Sequence, residues 1–294
     1  MEIGIKDYAR TSLVDTKGHL LERISKSSLK EGLIPSCDVN LLGKSDWSVV
    51  FEEGPFSLSY DKDNKTIHYQ NEIEKSLEWD LLYLIRQTLE RQLNEQGYIV
   101  LHASALKTKG GSILIFGDSG AGKTSLVLEG SNRDYSFIGN ESIVISPNLE
   151  AVAGTRIINY REEMAQRFFP KLERRGFSPA PRVRVLKPEE LYGARIETKP
   201  SQIILLINPK ISSEFIFYAL SKNTTKNRLF SETSAYISGL FPLDEMSKPC
   251  IITLDNPICR KQRYDLVSKM VDTIPGYIIE GKAGEILSKI EKMR

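Results

Sequence analysis

The chain has 294 residues, 40% of them apolar and 27% charged, with a formal net charge of +2. That mix belongs to an ordinary globular protein with enough chain for a sizeable core, in one large domain or two modest ones. It argues against bulk attraction to nucleic acid or to an anionic membrane. The three cysteines, Cys37, Cys250 and Cys259, are odd in number and widely spaced, which speaks for reduced thiols rather than a disulfide framework or a zinc knuckle. No apolar run approaches the roughly 20 residues that span a bilayer. The N-terminus is too charged for a signal peptide, so a cytoplasmic protein is expected.

Residues 1–76 read as a small β-rich region. "WSVVFEEGPFSLSYDKDNKTIHYQ" alternates short apolar segments with the turn sequences "EEGP" and "DKDNK". A meander or small sheet is expected, with Trp47, Val49, Phe51, Phe56 and Tyr60 facing inward. At 77–97 the period changes. Leu77, Leu81, Leu82, Ile85, Leu89 and Leu93 recur at helical spacing, and Gly97 is a natural stop. Two apolar strands, "YIVLHASAL" and "GGSILIFG", follow. After them come a glycine-rich loop, a helix to about 130, and the strands "YSFIGN" and "ESIVIS". "SQIILLIN" suits a strand buried on both faces. "EFIFYAL" reads as a further strand, 226–240 as helical, and two terminal segments complete residues 77–294.

The loop carries the chemistry. Gly117, Asp118, Ser119, Gly120, Ala121, Gly122, Lys123 and Thr124 fit G-x-x-x-x-G-K-[ST] in full, with Ser125 next, a strand before and a helix after. Glycines let backbone N–H groups approach phosphate oxygens, and the helix N-terminus favours the anion. Lys123 supplies a point charge to the β- and γ-phosphates, and the Thr124 hydroxyl can ligate Mg²⁺. A nucleoside triphosphate, ATP, is the expected ligand.

"LHASAL", a glycine turn, an apolar strand, "GDSGAGKT", a helix and a strand ending in a polar pair resemble the catalytic domain of HPr kinase/phosphorylase. The wider group of such P-loop proteins shares features with phosphoenolpyruvate carboxykinases. The resemblance runs over about 80–284, is specific around 101–145, and does not extend to the N-terminal region. It implies an α/β P-loop domain and a kinase using ATP and Mg²⁺. His102 stands where that family has a histidine before the loop. The family's Asp-Asp pair, whose first member is implicated as base, is replaced by Asn140-Glu141. Asn140 cannot accept a proton. Glu141 is left to ligate Mg²⁺ beside Thr124, to act as base, or both. The alternatives are transfer without a strong base, or binding without chemistry. His102 reads either as a buried strand-end histidine or as a group orienting the carboxylate or the γ-phosphate.

The stretch 155–190 is rich in arginine. It reads as a solvated helix face with a Pro-rich loop, or as a phosphate and substrate clamp in which Arg156 and Arg161, nearest the Glu141 strand, make the contacts. The expected acceptor is a hydroxyl of a small metabolite or of a peptide serine, since some HPr-kinase-like proteins phosphorylate precursor peptides. HPr itself is disfavoured by the altered acidic pair and N-terminal region. The other reading is a nucleotide-binding regulatory or scaffold protein with a degraded site. The resemblance leaves homo-oligomerisation open.

Overall fold

The computed structural model describes residues 1–15, 19–27, 29–39, 45–72, 78–161, 175–176, 183–186, 195–239 and 252–293. Strands β1 (Glu2–Ile5) and β2 (Ala9–Asp15) come first, then helices α1 (His19–Lys26) and α2 (Leu29–Leu33). Strands β3 (Cys37–Val39), β4 (Ser48–Glu53), β5 (Ser57–Asp61) and β6 (Thr66–Asn71) complete a sheet of order β3-β1-β2-β4-β6-β5. It is more than a meander. β2 with β4 and β4 with β6 are parallel pairs, so the chain must cross over, whereas β5 with β6 is an antiparallel hairpin. The "DKDNK" turn closes that hairpin through Asp61 Oδ1, which accepts from Asp63 N at 3.0 Å and Asn64 N at 3.1 Å.

Helix α3 (Glu78–Glu95) buries Leu81, Leu82, Ile85, Leu89 and Leu93. It ends at Gly97, whose φ of 80° is the left-handed stop expected there. The rest of the chain builds a larger sheet and its helices. In chain order these are β7 (Ile99–Leu101), β8 (Ala103–Thr108), β9 (Gly111–Phe116), α4 (Lys123–Ser131), β10 (Ser136–Gly139), β11 (Ile143–Ile145), β12 (Glu150–Gly154), β13 (Ile158–Arg161), β14 (Arg175–Gly176), β15 (Val183–Leu186), β16 (Ser201–Ile211), β17 (Ile216–Ala219), α5 (Lys222–Ser234), α6 (Pro257–Thr273), β18 (Gly276–Gly281) and α7 (Ala283–Glu291). The sheet order is β10-β8-β9-β16-β12-β11-β7, with β18 on β16 and β17 on β18. β9, β16 and β18 are mutually parallel.

Alternation sorts the strand residues between layers. Leu114, Phe116 and Leu206 pack with Leu229 of α5 and Leu266 and Met270 of α6. Ile113, Ile115 and Ile207 pack with Leu126 of α4 and Ile286 of α7 on the opposite face. Farther along the sheet, Val100, Val144 and Val152 join the leucines of α3 and the inner residues of the first sheet in one cluster. Helix α3 therefore lies between the two sheets. Within the arginine-rich stretch, β13, β14 and β15 form a small antiparallel sheet, while most of the residues read from sequence as a helix face, 162–174, lie outside the described residues. Phe168 and Phe169 are among these, and 177–182 and 187–190 also lie outside the described residues, as does Cys250. Cys259 is a buried free thiol.

Candidate active site

The glycine-rich loop leaves the carboxyl end of β9, beside the parallel strand β16, the end of an open α/β sheet at which ligands bind. Gly122 shows why the sequence needs glycine. Its φ is 106°, and a Cβ there would lie 2.4 Å from Cγ1 of Ile211, the last residue of β16. No side chain fits, so the backbone itself closes the loop before α4. Thr124 and Ser125 follow in the first turn of α4 and are half-buried.

Lys123 is buried, and its ammonium folds back over its own loop. Nζ donates to Gly117 O at 2.6 Å and Asp118 O at 3.4 Å. Burial pulls its pKa below the ordinary lysine value. Glu141 and Glu232 oppose that shift, Arg228 adds to it and Asp118 opposes it. Four charged groups thus act on Lys123 around the loop.

Glu141 stands on a γ-turn between β10 and β11. Ser142 N donates to Asn140 O at 2.8 Å, and the central residue, Glu141, has φ 67°. This is the rare, strained form of the turn. Thr155 clamps it from both sides: Asn140 N donates to Thr155 O at 3.1 Å and Thr155 N to Ser142 O at 3.0 Å. β10 and β12 come close enough for this because Gly139 meets Gly154. A Cβ on Gly139 would lie 2.5 Å from Gly154 Cα. The carboxylate itself is fixed by neighbours. Ser104 Oγ donates to Asn140 Oδ1 at 2.5 Å, and Asn140 Nδ2 donates to Glu141 Oε1 at 3.2 Å. His102 Nδ1 approaches Glu141 Oε2 at 3.7 Å.

Burial raises the Glu141 pKa above the usual carboxylate value, and the charges of Lys123 and Arg86 and the Asn140 hydrogen bond only partly offset it. His102 is pushed down to about 4, by burial first and then by Lys123, with Arg86 adding to it and a hydrogen bond to the Glu141 backbone opposing. The imidazole is therefore neutral at neutral pH, and its approach to Glu141 is not an ion pair there.

The structure thus brings Gly117, Asp118, Gly122, Lys123, Thr124, Asn140, Glu141 and His102 into one neighbourhood. Arg156 is adjacent in chain to Thr155, and its backbone N–H donates to Glu31 O of α2 at 3.3 Å. Among the described residues its side chain makes no hydrogen bond or ion pair. Arg161 lies on β13 opposite Val183, and its side chain lies outside the described residues. Sequence reasoning missed four contributors. Ser104 stands on β8, two residues after His102, which lies at the bend between β7 and β8. Arg228 and Glu232, at i,i+4 on α5, reach the loop: Arg228 Nη2 pairs with Asp118 Oδ1 at 2.6 Å and Nε with Glu232 Oε1 at 3.1 Å. Arg86 of α3, buried beneath the Tyr236 ring at 3.4 Å, gave no signal beyond its helix.

No family model matches the chain. It is similar to HPr kinase/phosphorylase of Mycoplasma pneumoniae (strain ATCC 29342 / M129 / Subtype 1), at 29% identity over 123 residues, which is 41% of this chain. The chain spans about a third of that relative's length, the match covering 35% of it. The similarity supports a distant HPr-kinase-like relationship and, with the mixed sheets, an α/β fold.

Proposed function

We propose that this chain is an ATP- and Mg²⁺-dependent kinase that transfers the γ-phosphate to a hydroxyl of a small metabolite or of a peptide or protein serine. The observation that carries the reading is that Lys123, curled on a glycine loop, feels the charge of the Glu141 carboxylate, which is held on a strained turn. Strained non-glycine residues and perturbed titrations both concentrate at functional sites.

The donors suit the metal. The Thr124 hydroxyl and the Glu141 carboxylate are hard oxygen ligands. Among the described residues no group of three or more His, Cys, Asp or Glu forms a cage, which fits an ion held mainly by phosphate and water. When bound, that ion neutralises charge on the β- and γ-phosphates. The residues of the chain do the rest. Loop N–H groups and the α4 N-terminus orient the phosphates, and Lys123 exchanges Gly117 O for phosphate oxygens. Glu141, ionised, accepts the acceptor's proton or holds the ion. Neutral His102 and Asn140 keep the carboxylate aimed.

Transfer of labelled phosphate from γ-labelled ATP to candidate alcohols and serine peptides, dependent on Mg²⁺, is the test. Lys123→Ala is expected to weaken ATP binding at least tenfold in calorimetry with the fold intact. Unchanged affinity in that variant contradicts the reading. A second reading, a nucleotide-binding regulatory protein, is favoured by Asn140, where the resemblance leads one to expect a base. It predicts tight Mg²⁺–ATP binding with no transfer to any acceptor.

A further inference from the structure

Arg228 and Asp118 form a contact that the kinase reading does not use. Asp118 is the second residue of the loop and its side chain is 88% exposed, whereas that of Arg228 is 25% exposed. An ion pair with one partner so open to water holds weakly. The guanidinium is anchored from behind instead: its Nε is bonded to Glu232 Oε1 at 3.1 Å, one turn along α5. Glu232 Oε2 is buried and has no hydrogen-bond partner among the described residues. So Glu232 is committed to orienting this arginine and retains a free acceptor atom at the rim of the loop. All three groups act on the charge of Lys123, which locates them at the phosphate cradle rather than on a remote face.

We propose that Arg228 is a phosphate-binding residue of this site, held off the cradle by Asp118 until a triphosphate displaces that carboxylate. The proposal rests on the nucleotide reading above. A guanidinium fork presents parallel N–H donors that match phosphate oxygens. With Nε held by Glu232, Nη2 can trade one exposed carboxylate for the more highly charged phosphate tail without relocating the side chain. Asp118 also carries the wrong charge for a group facing that tail, and its pairing with Arg228 cancels this in the free protein. Closing the site therefore costs the breaking of one solvent-exposed pair.

The test is a double-mutant cycle, read by calorimetric titration with Mg²⁺–ATP and Mg²⁺–ADP on the full chain. Arg228→Gln is expected to weaken ATP binding tenfold or more and ADP binding less. Asp118→Asn is expected to tighten ATP binding several-fold while Arg228 is present. The double variant is expected to remain at least severalfold weaker than wild type, because relieving the charge of Asp118 does not replace the guanidinium fork. If Arg228 only neutralises Asp118, the double variant recovers wild-type affinity, and that result overturns the proposal. So does an Asp118→Asn variant with unchanged affinity, or Arg228→Gln within twofold of wild type. Should Arg228→Gln fail to fold, Arg228→Lys keeps the charge without the fork. An intermediate loss supports the proposal, and full retention overturns it. Wild-type protein that binds no ATP sinks the nucleotide reading and this proposal together. Wild-type binding that is lost in Lys123→Ala but indifferent to Arg228 sinks only the latter.

Discussion

Glu141 occupies a backbone conformation that a side chain adopts at a cost of about 1–3 kcal/mol. It is kept there by Thr155 on either side and by the contact of Gly139 with Gly154. Its burial raises its pKa, and a raised carboxyl pKa means that the working, ionised form appears only above that value. The rate of phosphate transfer should therefore rise with pH along an acid limb displaced upward from the ordinary glutamate range. His102, with a pKa of about 4, is already neutral across that limb and adds none of its own. Glu141→Gln should abolish the limb and lower kcat at least a hundredfold while much of the ATP affinity remains. A pH–rate profile of both proteins decides it, and a variant that keeps the parent's limb rules Glu141 out. The loop was legible from its motif, whereas His102 and the Asn140-Glu141 pair were singled out only by the family resemblance. The γ-turn was not, because nothing in "FIGNES" announces a left-handed glutamate.

At the level of elements, α3 carries two buried stripes. The leucines were visible as a helical period. The second stripe, Arg86, Glu90 and Asn94, was not, because charged residues at i,i+4 read as a solvated face. Glu90 accepts from Arg86 Nε at 2.7 Å, Arg86 Nη1 donates to Leu33 O at 3.1 Å, and Asn94 Oδ1 accepts from Arg263 Nη1 at 2.8 Å. The same ambiguity concealed Arg228 and Glu232. The helix that bears them was read at 226–240 and is found at Lys222–Ser234. Arg263 on α6 is fully buried, and both its terminal nitrogens reach Asp255, at 2.9 and 3.0 Å. Asp255→Asn would strip the charge from the partner of a buried guanidinium, at an expected cost of about 3–5 kcal/mol in denaturant unfolding. The Asp255 pKa is lowered: burial opposes the shift, but the bonds from Arg263 and Arg260 outweigh it. The stability this pair contributes is accordingly present above the unfolded-state aspartate pKa and lost as pH falls through the depressed folded value. A loss below about 1 kcal/mol would show that the pair contributes little.

At the scale of the molecule, composition and apolar runs were enough for a mixed α/β protein, while the neighbour relations of the strands were not readable. "SQIILLIN" suits a strand buried on both faces, but its pattern does not say that β16 pairs with β9 and β18 in parallel and with β12 in antiparallel sense. Nor does a change of period at 77 reveal that α3 is shared. The boundary drawn there separates two sheets, whose inner residues join one cluster through α3. We expect 1–76 and 77–294 to unfold in a single cooperative transition, followed by tryptophan fluorescence and far-ultraviolet circular dichroism together. Two separated transitions would mean that each region is stable alone. Arg86 adds a consequence to this arrangement. It is tethered to the main-chain oxygen of Leu33, at the end of α2, and its charge reaches Glu141 and His102. A pull on the outer layer that drew this arginine away would strengthen a carboxylate's hold on its proton from afar, so the acid–base tuning of Glu141 is set in part by the outer layer.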